Sequence, residues 1–419
     1  MRTRIALIAL ALMVMSGTTL AEGPVRLVFM GRDGVYESAM RLAISLYKMV
    51  KPEVTIEYVG LPWAGLREKI VIELAEGRGT FDLILLDDPW TAEFLPAGLL
   101  EPLDGLFAAA GQELSSDFVP SAVALGRWPY PQGTQYALPV VGNVQLFAYR
   151  VDLFEKHGLS HPPATWADVV EAAQVIQARE PGVFGNVFRG APGNDIVTSF
   201  LPILWAHGGD VIVDGKSGVD SAEFRAALSV FLALARFAPG DVGVYKAARL
   251  REVLLAGNAA MALEVWPAWI PELDDPKVSL VVQKVQLFPH PGQVAKSAPM
   301  LGIWLLGIPA TSTKKAEAFD FLLYVTSPEI QKVMALHVGN PPTLTSLYRD
   351  PELIARYRWY PAQLEALLTG VARPRTAAWS RMEDMLGGFL NEALTGIRSP
   401  EDTVRAAHDA ITRILAEER

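Results

Sequence analysis

Two aspartates and a tryptophan follow a run of aliphatic residues in the segment FDLILLDDPWTAEFLPAGLLEPLD, residues 81–104. Asp87, Asp88 and Trp90 combine hydrogen-bond acceptors with a flat apolar ring. Carboxylates form strong, charge-assisted hydrogen bonds with hydroxyl groups, and an indole face suits the C–H face of a sugar ring. Asp-Asp-Pro after a strand is also a common helix cap and turn. The segment alone therefore leaves a sugar-binding and a purely structural interpretation open.

Alternating strands and helices must position these residues. The apolar patterns predict strands at residues 25–30, 54–59 and 81–86 and helices at residues 35–50 and 66–75. Apolar strands flanked by helices are typical of a parallel sheet that is covered on both faces. Ligands bind beyond the carboxyl ends of such strands, so Arg32 and Asp33 are expected at the same edge as Asp87.

Composition excludes several kinds of chemistry. The 419 residues include no cysteine, which excludes disulfides, thiolate metal sites and cysteine nucleophiles. The formal net charge is −9, and an acidic chain has little use for nucleic acid or anionic lipid. Residues 1–21 predict a signal peptide, with a positive start, an apolar run and a small-residue cleavage site. We therefore expect an exported, periplasmic protein without a lipid-bearing cysteine.

Helix-start signals recur later in the chain. Thr165-Trp-Ala-Asp168 predicts a capping box, and Asp220 is expected to cap the helix that follows it. No stretch has the composition of a flexible linker. Two domains without a linker predict that the chain passes between them more than once.

Six segments, in order, carry a resemblance to one family. They are FDLILLDDPWTAEFLPAGLLEPLD, YALPVVGNVQLFAYRVDLFEKHGLSHPPATWADVV, HGGDVIVDGKSGVDSAEFRAAL, GNAAMALEVWPAW, GIWLLGIPATSTKKAEAFDFLLYVTSPEIQ and ARPRTAAWSRMEDMLGGFLNEALTGIRSPEDTV. Together they resemble the extracellular solute-binding proteins of ABC sugar importers, of the maltose- and trehalose-binding type. The resemblance covers nearly all of the chain after residue 21.

That resemblance implies an α/β fold of the two-lobed periplasmic-binding-protein type (type II). Each lobe is then a mixed, mostly parallel sheet with helices on both faces, and a multi-crossing hinge joins the lobes. The N-terminal lobe is expected at residues 22–139 and 300–347, and the C-terminal lobe at residues 140–299 and 348–419. Such lobes close on a ligand like a hinge.

The resemblance also implies which residues face the ligand. The expected set is Arg32, Asp33, Asp87, Asp88, Trp90, Asn143, Glu264, Trp266, Gly302, Trp304 and Arg373. Trp266 lies where the family has an aromatic platform, with Trp269 as a second candidate. Gly302 and Trp304 match a Gly-Gly-Trp, although Ile303 replaces the second glycine. Core packing remains the alternative for Trp266 and Trp304, and an ion pair between the lobes for Arg373.

The implied function is capture of a sugar by hinge closure. An α-linked glucoside disaccharide such as trehalose, maltose or sucrose is expected as the ligand. The implied partners are the transmembrane permease subunits of an ABC transporter with a cytoplasmic ATPase, and a monomer that needs no cofactor and binds no nucleic acid is expected.

Other ligands and an enzyme remain as alternatives. Related folds bind polyamines, polyols or glycerol phosphates, and the acids would suit a polyamine, whereas the two arginines favour an uncharged polyhydroxyl ligand. Asp87 or Asp88 with Glu264 could form the carboxylate pair of a glycosidase, which needs two carboxylates about 5 to 9 Å apart. Neither a zinc pair at His157 and His161 nor a phosphate loop before Ser217 fits its required spacing or context. No catalytic or metal-binding residue is therefore expected.

Overall fold

The computed structural model describes residues 24–418, so the predicted signal peptide at residues 1–21 lies outside it. The chain divides into two compact units. Unit 1 comprises the residues up to Gly142 and Ile303–Arg356, and unit 2 comprises Asn143–Gly302 and Tyr357–Arg419. The chain therefore passes between the units three times. The expected boundaries are three residues earlier at the first two crossings and nine residues earlier at the third.

Helices and strands alternate through both units. The first segment of unit 1 contains β1 Val25–Arg32, α1 Val35–Val50, β2 Val54–Leu61, α2 Trp63–Glu76, β3 Leu83–Asp87, α3 Asp88–Phe94, α4 Asp104–Ala110, α5 Pro120–Ala124, β4 Arg127–Trp128, β5 Thr134–Gln135 and β6 Ala137–Val141. The first segment of unit 2 contains β7 Leu146–Arg150, α6 Val151–His157, α7 Trp166–Arg179, α8 Asn194–Ala206, β8 Ile212–Val213, β9 Lys216–Ser217, α9 Ala222–Ala235, α10 Ala247–Leu255, β10 Met261–Val265 and β11 Val285–Phe288. The return to unit 1 adds β12 Trp304–Gly307, α11 Lys315–Thr326, α12 Pro328–Val338 and α13 Pro351–Arg356. The last segment of unit 2 adds α14 Tyr360–Thr369, α15 Trp379–Leu394 and α16 Pro400–Glu417. The predicted α/β class is confirmed.

The sheet of unit 1 has the strand order β2-β1-β3-β12-β6. β1 is parallel to β2 and to β3, whereas β12 is antiparallel to β3 and to β6. All five residues of β3 are buried, as expected for an apolar central strand. The register pairs Trp304 with Asp87, so β12 brings a tryptophan beside the end of β3.

The sheet of unit 2 is built differently. Its named strands pair in the order β10-β7-β11, and both pairs are antiparallel. A mostly parallel sheet is expected from the sequence, so the strand directions differ from that expectation. Parallel pairing occurs at isolated bridges on the side of β10 that does not face β7, where Val187 pairs with Ala262. The Val187 N–H donates to the Met261 carbonyl at 2.9 Å, and the Leu263 N–H donates to the Val187 carbonyl at 3.0 Å. This register places residue 189 opposite residue 264.

Local sequence signals explain most element boundaries. Helix α1 occupies the predicted residues 35–50, and the capping box of Thr165 and Asp168 is confirmed at the start of α7. The prediction that Asp220 caps α9 is wrong. Ser221 is the cap, because its hydroxyl accepts the Phe224 N–H at 3.1 Å, and Asp220 instead pairs with Arg225.

The membrane-spanning criterion can be applied to the same residues. Among residues 24–418, no helix is both long and apolar enough to cross a membrane.

Candidate functional site

Asp87 ends β3 and starts the next helix. Its Oδ1 accepts the Asp88 backbone N–H at 3.0 Å, which caps α3. Its Oδ2 accepts the indole N–H of Trp63 at 2.9 Å. Because Asp87 is only 5% exposed, these bonds fix its carboxylate at the end of the strand. The second bond also occupies the indole N–H of Trp63, a half-buried residue at the start of α2.

Aromatic rings surround this carboxylate within unit 1. The Trp63 ring lies 5.9 Å from the Trp90 ring, and Trp90 lies 5.8 Å from Trp304 in an edge-on arrangement. Trp90 and Trp304 are each only 1% exposed, so most of their surface is used in packing. Trp63 is the member of this group that is only half-buried. The sequence predicts Trp90 and Trp304 as ligand contacts and gives no such indication for Trp63.

Arg32 lies at the end of β1 and stacks on rings of the same unit. Its guanidinium carbon is 4.9 Å from the Tyr36 ring centre and 5.1 Å from the Trp304 ring centre. Both distances are within the range of cation–π attraction. Burial raises the pKa of the Tyr36 hydroxyl. The positive charge of Arg32 partly offsets this increase, and the negative charge of Asp87 adds to it.

The two other acids predicted in unit 1 differ in exposure. Asp33 follows β1, is half-buried, and donates its backbone N–H to the Leu61 carbonyl at 3.0 Å. Asp88 is fully buried in the first turn of α3. Adjacent residues at this strand end therefore have different surroundings, and Asp88 offers no accessible surface to a ligand.

Glu264 is the centre of a hydrogen-bond network in unit 2. It lies in β10, is 1% exposed, and accepts hydrogen bonds on both carboxylate oxygens. The donors to Oε2 are Arg189 Nη2 at 2.6 Å, Gln145 Nε2 at 2.9 Å, Trp266 Nε1 at 3.0 Å and Thr198 Oγ1 at 3.4 Å. The hydroxyl of Ser199 donates to Oε1. The carboxylate is therefore satisfied by side chains of its own unit.

Arg189 is the cationic partner of this network. The parallel register beside β10 brings it opposite Glu264, and its other terminal nitrogen donates to Asp195 Oδ1 at 3.1 Å. Burial alone would raise the pKa of Glu264, but the charge and hydrogen bonds of Arg189 hold it below its ordinary value. Burial would likewise lower the pKa of Arg189, and the charge of Glu264 raises it instead. Both groups are therefore ionised, as a buried ion pair.

Trp266 projects from the end of β10 and is half-buried. Its indole N–H is bound by Glu264, and the guanidinium carbon of Arg189 lies 5.7 Å from its ring centre. A Cβ atom added to Gly302 would lie 2.4 Å from Trp266 Cζ3 and 3.1 Å from Asn143 Nδ2. A side chain at residue 302 would therefore displace the ring, which explains the glycine at this position.

Asn143 and Arg373 lie close to the same backbone. The Gly302 N–H donates to the Asn143 carbonyl at 3.0 Å, and Asn143 is 6% exposed. Its side-chain Oδ1 is buried and has no hydrogen-bond partner within residues 24–418. Arg373 is 3% exposed and lies two residues after Val371, which pairs with Met300 just before Gly302.

The structure thus divides the predicted residues into two sets. Unit 1 holds Arg32, Asp33, Asp87, Asp88, Trp90 and Trp304, and unit 2 holds Asn143, Glu264, Trp266, Gly302 and Arg373. Trp63 and Arg189 are central to these sets and were missed. Trp63 directly follows Pro62, before the residues whose periodicity predicted a helix, and Arg189 lies in a segment without periodicity.

The site chemistry suits binding better than catalysis. Asp88 is fully buried and Glu264 is saturated, so neither is arranged as an accessible acid or base. Within the described part of the chain, no three His, Cys, Asp or Glu side chains are grouped to hold a metal ion.

Comparison with known proteins gives one consistent family. The sequence model of the family described as "Bacterial extracellular solute-binding protein" matches residues 36–332. A probable ABC transporter-binding protein of Deinococcus radiodurans is 29% identical over 293 residues, which are 67% of this chain and 69% of that protein. The mannitol-binding protein of Pseudomonas aeruginosa is 25% identical over 397 residues, 89% of each chain. The maltose-bound MalE3 of T. maritima is structurally similar, with a TM-score of 0.82 and 28% identity over 93% of this chain and 100% of that one.

Proposed function

The chain belongs to the bacterial extracellular solute-binding protein family, and on that premise we propose that it is the substrate-binding component of an ABC transporter for a sugar or a polyol. The observation that carries this proposal is the environment of Trp266. Its polar edge is bound by the buried Glu264 at 3.0 Å, while its ring remains half-buried. Such a fixed apolar face suits the C–H groups of a carbohydrate.

The charges of the site favour an uncharged ligand. Arg189 and Glu264 neutralise each other in a buried pair, and Arg32 stacks on aromatic rings. A polyamine would need accessible carboxylates, but Asp87 is 5% exposed and Asp88 and Glu264 are less exposed still, so among the predicted acids only the half-buried Asp33 could contact one. A phosphate ester would favour a cluster of accessible cations, whereas Arg189 is committed to Glu264 and Asp195, and Arg32 is followed in the chain by the half-buried Asp33.

Within this class, an α-linked glucoside disaccharide such as maltose, trehalose or sucrose is our first choice of ligand. The similarity to a maltose-bound protein and the tryptophan in each set of residues support it. A polyol is the second candidate, which the 25% identity with a mannitol-binding protein over 89% of the chain favours.

The proposed mechanism is a shift in population without a chemical step. A ligand that contacts both units only when they close together stabilises the closed form by that difference in contacts. The transmembrane permease subunits, driven by a cytoplasmic ATPase, would then accept the ligand from the closed form. Export to the periplasm follows from this role, because the permease must be reached from outside the cytoplasm.

A thermal-shift screen tests the ligand class. The ligand-free chain without residues 1–21 is screened against maltose, trehalose, sucrose, D-mannitol, ribitol, spermidine and glycerol 3-phosphate. A ligand that binds only the folded state raises the free energy of unfolding by about 4 kcal/mol at a thousandfold excess over Kd. We expect a large shift with at least one disaccharide or polyol and no product from it on long incubation. A shift with only spermidine or glycerol 3-phosphate would overturn the ligand class, and no shift would overturn the whole proposal.

A substitution then tests the observation that carries the proposal. Trp266→Ala is expected to weaken binding of the best carbohydrate in the screen by about tenfold or more, which is about 1.4 kcal/mol. Trp205→Ala is the matched control, because Trp205 also belongs to unit 2 and also donates its indole N–H to a carboxylate, that of Asp210 at 3.2 Å. Equal affinity in the Trp266 variant and the wild type would remove Trp266 from the site.

A further inference from the structure

Trp63 and Trp266 have the same kind of environment in two different units. Each is half-buried, and each donates its indole N–H to a buried carboxylate, at 2.9 Å for Asp87 and 3.0 Å for Glu264. The carboxylates also occupy similar places, since Asp87 is the last residue of β3 and Glu264 the last but one of β10. The repeated feature is an apolar ring that is partly accessible and fixed through its polar edge.

The hydrogen bond by itself does not mark a ligand platform. Trp205 donates its indole N–H to Asp210, yet Trp205 is only 7% exposed at the end of α8, so its ring is used in packing. Trp63 differs because it is only half-buried, and its indole N–H is bound at the end of the central strand β3. Ligands of open α/β sheets bind beyond such strand ends.

A fixed ring lowers the cost of binding. An accessible tryptophan that rotates freely loses side-chain entropy when a ligand orders it, about 0.5 to 1.5 kcal/mol for a flexible side chain. The bond to Asp87 and the packing on Trp90 at 5.9 Å remove that freedom in advance. Asp87 itself cannot move without losing the cap of α3.

We propose that Trp63 is a ligand platform in unit 1, the counterpart of Trp266 in unit 2, and that Asp87 is a positioning residue that acts on affinity through Trp63. This inference rests on the proposed function. It also reassigns Asp87, which the sequence predicts as a direct ligand contact. Trp63 supplies the apolar face, and the carboxylate of Asp87 orients that face.

A double-mutant cycle tests both roles. Kd is measured by calorimetry for maltose, trehalose, sucrose, D-mannitol and ribitol, and the cycle uses whichever of them binds the wild type most tightly. We expect Trp63→Ala to weaken binding about tenfold and Asp87→Asn about fivefold, while the double variant is no weaker than Trp63→Ala. Trp63→Phe keeps a flat ring but loses the bond to Asp87, so it should weaken binding about as much as Asp87→Asn does and less than Trp63→Ala does. Trp205→Ala and Asp210→Asn are the matched controls and should leave Kd unchanged.

The possible failures are distinguishable. Wild-type affinity in Trp63→Ala would overturn the platform while the proposed function stands. Losses that multiply in the double variant would show that Asp87 contacts the ligand itself, and would overturn its positioning role. If none of the five probes binds the wild type, the proposed ligand class fails, and the inference fails with it.

A measurement without ligand tests the positioning role separately. The indole N–H signals of the ¹⁵N-tryptophan-labelled protein are recorded by NMR, and the Trp63 signal is assigned by its loss in Trp63→Phe. Asp87→Asn should shift that signal and leave the Trp205 signal in place, because asparagine keeps the helix cap but loses the charged acceptor. An unchanged Trp63 signal in folded Asp87→Asn protein would show that the bond does not form in solution, and would overturn the positioning role.

Discussion

Asp87 in unit 1 and Glu264 in unit 2 fix a tryptophan in the same way but lie in different environments. The two hydrogen bonds described for Asp87 come from a backbone N–H and an indole, and aromatic rings pack around it. Glu264 accepts from a guanidinium, an amide, hydroxyls and an indole. Trp63 is thus held by its bond to Asp87 and by packing on Trp90, whereas Trp266 is held within a buried ionic network.

The arginines of the two sets show the same difference. Arg32 stacks on Tyr36 and Trp304, an attraction of about 0.5 to 2 kcal/mol that requires no anion. Arg189 is buried against Glu264, and its charge must be balanced there. Unit 1 should therefore tolerate loss of its carboxylate far better than unit 2. The predictions below test that asymmetry.

The largest expected effect is that of Glu264→Ala. This change leaves the buried charge of Arg189 without its main partner, and removing one member of a buried ion pair costs about 3 to 5 kcal/mol. The free energy of unfolding is measured by urea denaturation at neutral pH. The combined variant Arg189→Met with Glu264→Leu should be more stable than Glu264→Ala, because it leaves no unpaired guanidinium, and the Asp195 carboxylate that loses Arg189 is partly exposed. A double variant less stable than the single one would show that the ion pair is not the origin of the loss.

Gly302→Ala should have the next largest effect. Its Cβ would lie 2.4 Å from Trp266 Cζ3, so the ring must move against Glu264 and Arg189, and such overpacking costs about 1 to 3 kcal/mol. Carbohydrate affinity should fall together with stability. Gly388→Ala is the control, because residue 388 lies in α15 with open space around a Cβ, and alanine there should stabilise by about 0.5 to 1 kcal/mol. Equal effects at the two glycines would show that Trp266 is not confined by residue 302.

The sequence predicts the elements of these sites better than their contacts. The apolar run that ends at Asp87 identifies β3, because alternation and length are local properties of the chain. Glu264 and Arg189 are 75 residues apart, and the bridge between Val187 and Ala262 of β10 brings them together. Periodicity shows which face of an element is apolar, but not which distant side chain satisfies a buried carboxylate.

The exposure of each tryptophan could not be predicted from the sequence either. Trp90, Trp304 and Trp63 have the same chemistry, but packing buries the first two and leaves the third partly accessible. The wrong cap at Asp220 has a similar cause, since Ser221 is equally suitable by type and only the backbone position selects it. Residue type therefore identifies candidates, and the tertiary environment decides among them.

The smallest effect is expected for Asp87→Ala, at the other end of the comparison. This change removes the cap of α3 and the bond to Trp63, and loss of a helix cap costs about 0.5 to 2 kcal/mol. The two donors described for Asp87 are neutral, whereas Glu264 is buried against the charge of Arg189, so we expect a smaller cost than that of Glu264→Ala. Asparagine caps helices about as well as aspartate, so Asp87→Asn should recover most of the lost stability in urea denaturation. If Asp87→Ala is as destabilising as Glu264→Ala, or if Asp87→Asn recovers nothing, the carboxylate of unit 1 depends on charge as the carboxylate of unit 2 does, and the distinction between the units is wrong.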